Sequence, residues 1–166
     1  MRYAQGWLVG VSASTSGLVP FEVATTAGAF AVTHSGPVSA DVAASFHLAL
    51  SAAVLALQRN SHGVAEHRIH LNLPLRHVRT QGPSCRLAFA NTVIASLTTD
   101  AGFIPDQTVL LGDLTLAGQV LPVGQTTRKA ATAHAAGLNT VVVAPRQALP
   151  GTVAIGSLDD IPGVRA

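Results

Sequence analysis

The chain has 166 residues, of which 48% are hydrophobic and only 11% are charged, with a formal net charge of +2. This composition excludes a disordered chain and is typical of one compact domain, residues 1–166, that is long enough for a sizeable core. The ten basic and eight acidic residues form no run of one sign, and aromatic residues are few, so nucleic-acid binding is not indicated.

One cysteine, Cys85, allows no internal disulfide and belongs to no metal-binding motif. We therefore expect a reducing, cytoplasmic compartment. The N-terminal stretch MRYAQGWLVGVSASTSG has one arginine and a short apolar run broken by glycine, which makes a poor signal peptide. The longest apolar segment, Val42–Leu57, is shorter than a membrane span and contains His47 and two serines, so it predicts a buried helix and no membrane contact.

The first half of the chain begins with β-rich runs and continues with a long helix. Three runs separated by STSG and AGA predict a meander of strands: Trp7–Ser14, Leu18–Thr26 and Ala29–His34. Ser39 with Asp41 marks a helix start after Gly-Pro, and apolar residues at helical spacing continue to about Arg59. After a loop, the alternating residues of His67–Pro74 predict a half-buried strand.

The second half alternates helices with short strands. A second helix is expected from Ser84 to about Leu97, followed by short strands in TVLLG, LTLAG and QVLPV. A third helix should span about Thr126–Ala136 with Gly137 closing its C-terminal end, before a last buried strand at Thr140–Ala144. The fold class is therefore α+β.

The tripeptide Gly82-Pro83-Ser84 lies where a loop becomes a helix. A serine at that place is most often a helix N-cap. The same geometry also suits a nucleophile, because amide groups at the helix start can hold a developing oxyanion. Taken alone, the tripeptide favours the cap and leaves the nucleophile open.

Lys129 is the only lysine of the chain, and every other basic residue is arginine. It falls in the first turn of the third helix, among apolar residues, where the helix dipole and burial both lower a lysine pKa. A neutral amine can serve as the general base for a serine, which arginine cannot do. The alternative interpretation is a surface lysine with its ammonium group in water.

The other polar residues carry weaker signals. Four histidines lack the spacing of a metal site, so no metal is expected: His62, His67, His70 and His77. Asp113 and Glu22 are isolated acids near strand ends, where a structural hydrogen bond is the commoner role. The chain has no GxxxxGK[ST] phosphate loop, so we expect no ATPase module within it.

These motifs together resemble a known family. GPS at a helix start, then GDLTLAGQVLPVG, then a lysine five residues after that last glycine, resembles the proteolytic domain of Lon proteases. The resemblance runs in family order from GWLVGVS and FEVA through IHLNLP to GLNTVVVAP. It implies the fold of domain 2 of the fifth ribosomal small-subunit protein, with mixed sheets and three main helices.

The resemblance also implies an activity. It places Ser84 on the family's nucleophile and Lys129 on its general base, a Ser-Lys dyad that hydrolyses peptide bonds without a cofactor. Oxyanion or cleft-lining candidates on the same ground are Gly82, Pro83, Cys85, Glu22, His70 and Asp113. Lon enzymes are hexameric rings that degrade unfolded proteins, so the implied partners are an unfolded protein or peptide, further copies of the chain and an ATPase.

Several positions depart from the family pattern. Cys85 and Arg86 stand where the family has alanine and glycine, and a bulky arginine there is expected to crowd the substrate cleft. Gln81 replaces an acid, Leu111 replaces a threonine that helps to hold the lysine, and Gln125 replaces the second glycine of a pair. The tail, SLDDIPGVRA, stops where the family has its last helix.

Three functional hypotheses follow. The first is a Lon-like serine endopeptidase, which the retention of both Ser84 and Lys129 favours. The second is a non-catalytic Lon-like module that assembles rings or regulates an attached or partner ATPase, which LGDLTL and the missing threonine favour. The third is a plain structural domain in which Ser84 and Lys129 are far apart.

Overall fold

The structure is a computed structural model that describes residues 1–74 and 83–165. It is α+β, as the sequence predicts, with a mixed seven-stranded sheet, a separate two-stranded sheet and three α-helices in the described ranges. The strands are β1 Arg2–Val11, β2 Ser16–Ala27, β3 Ala31–Ser35, β4 His67–Asn72, β5 Thr108–Leu111, β6 Asp113–Leu114, β7 Val120–Leu121, β8 Thr140–Val143 and β9 Val153–Ala154. The helices are α1 Ala40–Arg59, α2 Arg86–Leu97 and α3 Thr126–Ala135.

The large sheet has the strand order β3-β4-β2-β1-β5-β8-β9. β1 and β2 form an antiparallel hairpin, and β4 adds to β2 in antiparallel register. The predicted meander of the first three strands is wrong for β3, which pairs with β4 in parallel instead of with β2. A parallel pair needs a crossover connection, and α1 supplies it between β3 and β4.

Helix α1 begins as the sequence predicts. The side chain of Ser39 accepts a hydrogen bond from the amide of Val42 at 3.2 Å and so caps the helix. Of the helices in the described part of the chain, α1 is the one long and apolar enough to cross a membrane. Half of its apolar window is buried within the protein, as in the core helix of a soluble domain.

The main core lies between one face of the sheet and the helices α1 and α2. At its centre the ring of Phe89 in α2 makes edge-to-face contacts with Phe21 of β2 and Phe46 of α1, at centroid distances of 4.9 and 5.4 Å. All three rings are almost fully buried. This packing fixes the position of α2 and therefore of the turn that leads into it.

Helix α3 covers part of the opposite face of the sheet. Its Ala130 and Ala133 pack on alternate residues of β5 and β8, including Val109 and Val141. Gly137 follows the helix with φ = 87°, a left-handed conformation that suits glycine after a C-terminus, as expected. The small alanine side chains let α3 approach the sheet closely at the point where β1 meets β5.

Candidate active site

A cleft of about 430 Å³ opens where β1 and β5 part. The two strands are paired only at Trp7 and Val109. The residues that follow in each strand, Leu8–Val11 in β1 and Leu110 and Leu111 in β5, line the cleft. The remaining lining residues are Ser84, Cys85, Gln125 and Lys129. The structure thus brings the serine and the lysine, 45 positions apart in sequence, to one cleft.

Ser84 lies in a short 3-10 turn, Pro83–Cys85, immediately before α2. The N-cap position of α2 is Cys85, and no side chain caps the helix there. The N-cap interpretation of Ser84 is therefore wrong for α2, and Ser84 is instead a half-buried residue that lines the cleft. Pro83 is exposed and has no N–H to give to an oxyanion. Gly82 and Gln81 lie outside the described residues.

Lys129 is the fourth residue of α3 and is only 9% exposed, so the surface-lysine interpretation is wrong. Burial lowers the pKa of its amine below the ordinary lysine value of 10.5. The neighbouring Arg128 points elsewhere, because its guanidinium donates to the carbonyl oxygens of Ser12 and Thr15. Burial therefore favours the neutral amine at a lysine that lines the cleft.

The two side chains share the cleft without a direct bond. Within residues 1–74 and 83–165, no hydrogen bond joins Ser84 Oγ to Lys129 Nζ. Catalytic hydrogen bonds are often long before substrate binds and tighten in the substrate complex. Both residues line one cleft, and proton transfer between them would require a hydrogen bond that the described residues do not show.

Replacing Lys129 with methionine is expected to stabilise the fold at neutral pH. Because the folded pKa is lowered, the folded state binds fewer protons than the unfolded state between the two pKa values, so wild-type stability rises with pH in that range. The gain from Lys129→Met should be full below the folded pKa and shrink as pH approaches 10.5. Denaturant unfolding at pH 7 and pH 10 measures it, with Arg128→Met as a control that should not stabilise. A Lys129→Met variant less stable than wild type at pH 7 would refute the expectation.

Cys85 follows the serine and is almost fully buried at the inner wall of the cleft. Burial raises the pKa of its thiol to about 11, and a hydrogen bond with Ser45 of α1 opposes that rise only in part. A thiol that stays protonated at neutral pH is a poor nucleophile. Burial therefore argues against a thiolate at Cys85 near neutral pH.

Arg86 does not line the cleft, contrary to the expected crowding. Its Nη1 donates to Oδ1 of Asp113 at 2.8 Å, and the same carboxylate oxygen accepts from the amide of Leu114 at 2.7 Å. The ion pair connects the start of α2 to β6, which gives both Arg86 and Asp113 a structural role. Leu111, by contrast, does line the cleft, and adds to the apolar surface around the lysine.

Glu22 and His70 lie apart from the residues that line the cleft, in a hydrogen-bonded network on the sheet face opposite the main core. The carboxylate of Glu22 accepts from the hydroxyl of Tyr3 at 2.8 Å and from the amide of Asn72 at 2.6 Å. The hydroxyl of Ser35 donates to Asn72 at 2.8 Å, and His70 lies 2.9 Å from Ser35. None of the sequence motifs pointed to this network. Its sequence signal is that polar residues recur at every second position of β3 and β4.

The direction of the protons in that network follows from its partners. Asn72 directs its N–H to Glu22, so its oxygen accepts the proton of Ser35. Nε2 of His70 must then donate to Ser35, and the hydroxyl of Thr33 meets Nδ1 at 2.7 Å. The hydroxyl of Ser35 donates its proton to Asn72, and His70 donates to Ser35. His70 therefore cannot act as a base that activates Ser35 as a second nucleophile.

The chain is similar to known proteins of one family. The family model of the Lon protease (S16) C-terminal proteolytic domain matches residues 6–161. The chain belongs to this family. A Lon protease of Chloroflexus aurantiacus is 35% identical over 96 residues, which cover 58% of this chain and 10% of that protein. A Lon protease of Buchnera aphidicola is 28% identical over 145 residues, which cover 83% of this chain and 18% of that protein.

A third relative, Lon protease 1 of Bacillus subtilis, is 36% identical over 74 residues, 45% of this chain and 9% of its own length. The chain thus spans less than a fifth of the length of each of these Lon proteases. The match shows the proteolytic-domain family, and the α+β fold with a mixed sheet and three helices is consistent with it.

Proposed function

We propose that this domain is a serine endopeptidase in which Ser84 is the nucleophile and Lys129 the general base. One observation carries the proposal: Ser84 and the buried Lys129 line the same cleft of a Lon-type proteolytic domain. Burial favours the neutral amine that a general base requires. The sole lysine of the chain is thereby explained, because an arginine at this place would stay protonated.

The proposed reaction has two halves. Neutral Lys129 takes the proton of Ser84 as its oxygen attacks the peptide carbonyl, and backbone amides around the serine stabilise the oxyanion. Lys129 then gives the proton to the leaving amine, and the C–N bond breaks to leave an acyl-enzyme. Water, deprotonated by the same amine, hydrolyses the ester and restores Ser84.

The substrate is expected to bind in an extended conformation. Among the described residues, none pairs with residues 8–11 of β1 on the side facing β5, which leaves these main-chain groups available to a peptide strand in the cleft. Only unfolded segments or short peptides can add a strand in this way. We therefore propose unfolded proteins and peptides as the substrate class.

The partners are proposed on the same basis. The relatives carry the name Lon protease and are much longer than this chain, so an ATPase, attached or separate, is the proposed source of unfolding. We further propose that the domain acts as a homo-oligomer, a hexamer in the family pattern. The alternative is a non-catalytic assembly or regulatory module, for which the cleft would serve no reaction.

Cleavage of casein separates the two functions. Wild type is expected to cleave it, and Ser84→Ala is expected to lose cleavage while retaining its fold by circular dichroism. Ser51→Ala, an exposed serine of α1, is the matched control and should cleave like wild type. Equal cleavage by wild type and Ser84→Ala, or none by wild type at any pH with or without an ATPase partner, would support the non-catalytic module.

A further inference from the structure

Gln125 has an unusual backbone conformation for its place. It is the N-cap residue of α3 with φ = 59° and ψ = 31°, in the left-handed region that favours glycine. N-cap residues are normally extended, as Ser39 is before α1 with φ = −71° and ψ = 163°. Gln125 also gives the helix no side-chain cap. Capping of α3 therefore explains neither the left-handed conformation at position 125 nor the glutamine side chain there.

Ser61 has a similar φ angle, but for an ordinary structural reason. Ser61, with φ = 64°, is the other non-glycine residue with positive φ in the described part of the chain. It follows the C-terminus of α1, where a left-handed residue is an ordinary way to end a helix. At Gln125 no such reason applies, and strained residues that persist at a cleft point to a function there.

The surrounding turn is held firmly in this conformation. The carboxamide of Gln147 pairs with both main-chain groups of Val123: its Nε2 donates to the carbonyl at 2.5 Å, and its Oε1 accepts from the amide at 2.9 Å. The hydroxyl of Thr126 donates to the same carbonyl at 3.1 Å. The amide of Lys129 donates to the carbonyl of Gln125 at 2.9 Å, which fixes Gln125 relative to the proposed base.

Gln125 is among the residues that line the cleft with Ser84 and Lys129, and it also lines a second pocket on the side of Gln147. Its carboxamide is exposed and makes no hydrogen bond to another described residue. A carboxamide carries the same donor and acceptor groups as a peptide unit. Gln147 shows in this same fold how a glutamine can pair with both of the N–H and C=O groups of one residue.

We propose that Gln125 is a substrate-binding residue whose carboxamide hydrogen-bonds the main chain of an extended peptide in the cleft. The proposal rests on the proposed function in that it takes a peptide as the ligand. Main-chain recognition does not depend on the sequence of the peptide, which suits a domain that acts on unfolded chains. The contact is made in the bound ground state, so its loss should raise KM more than it lowers kcat.

The test measures peptide binding without hydrolysis. A fluorescein-labelled casein peptide is titrated with Ser84→Ala protein, and its anisotropy is compared for added Gln125→Gly, Gln125→Ala and Gln125→Glu. Each change should raise Kd about three- to tenfold, as expected for the loss of one or two net hydrogen bonds. Gln125→Gly should not lower the melting temperature, because glycine suits the left-handed conformation. Thr127→Ala, an exposed change in the same helical turn, is the matched control and should leave Kd unchanged.

The outcomes separate this proposal from the peptidase proposal. Unchanged affinity in the three Gln125 variants, an equal effect of Thr127→Ala, or no peptide binding by the parent would overturn the role of Gln125, whether or not wild type cleaves casein. Affinity that depends on Gln125 in a protein that never cleaves would uphold the binding role and reject the peptidase. In an active protein, a rise in KM with little change in kcat for Gln125→Ala is the further expected result.

Discussion

Replacing Lys129 with arginine is expected to lower peptide cleavage by about 10²- to 10⁴-fold, the usual contribution of a general base. Arginine keeps the positive charge and most of the length of the side chain, but it cannot release its proton near neutral pH. Cleavage of a fluorogenic peptide, with circular dichroism to verify the fold, measures the effect.

A swap variant provides the control for this prediction. Arg128→Lys combined with Lys129→Arg keeps the composition and net charge and moves the amine by one residue, out of the cleft. The swap variant should be as inactive as Lys129→Arg, whereas Arg128→Lys alone should cleave at a rate near that of wild type. Activity in the swap variant would show that a nearby positive charge suffices and that the position of the amine is unimportant.

Phe89→Ala is expected to have the largest effect on stability. The Phe89 ring is fully buried and contacts Phe21 and Phe46 edge to face, so its removal leaves a cavity at the junction of α1, α2 and the sheet. We expect a loss of about 3–5 kcal/mol in the free energy of unfolding. The melting temperature should fall by roughly 10 °C for a chain of this size.

Phe30→Ala is the matched control, because the same side chain is removed from a residue that is 61% exposed. It should change the free energy of unfolding by no more than about 0.5 kcal/mol. If Phe89→Ala unfolded at the same denaturant concentration as Phe30→Ala, the packing of α2 described above would be wrong.

Local patterns predicted the elements that depend on local chemistry. The N-cap residue Ser39 predicted the start of α1, and the apolar spacing after it predicted the end. The alternation in His67–Pro74 predicted β4. Gly137 predicted the end of α3, because a residue in the left-handed conformation, usually glycine, commonly follows a helix C-terminus. Lys129 stood out because it is the sole lysine, and its burial then followed from the apolar residues around it.

Long-range pairing could not be predicted in the same way. The parallel register of β3 with β4 depends on where α1 returns the chain, which periodicity within β3 does not encode. The cleft depends on β1 and β5 being paired at one position only, and this is a property of two strands a hundred residues apart. The contact of Arg86 with Asp113 likewise joins two elements, so the sequence wrongly placed Arg86 in the cleft.

The residues that line the cleft around Ser84 and Lys129 set the surface that a peptide would meet. Leu111 and Cys85 both line the cleft with Lys129. Burial lowers the pKa of Lys129, and the electrostatic interaction with Cys85 opposes that shift. On the proposed role, the carboxamide of Gln125 adds a hydrogen-bonding group to that surface.

The pH dependence of Ser84 phosphonylation shows whether Lys129 activates Ser84. Wild-type protein is treated with a fluorophosphonate from pH 6 to pH 11, and the modified residue is located by peptide mapping and mass spectrometry. We predict a label on Ser84 whose rate rises with pH to a midpoint below 10.5, the ordinary lysine value, and which Lys129→Met abolishes. No label on Ser84, or a label formed equally fast in Lys129→Met, would contradict the claim that Lys129 activates this serine.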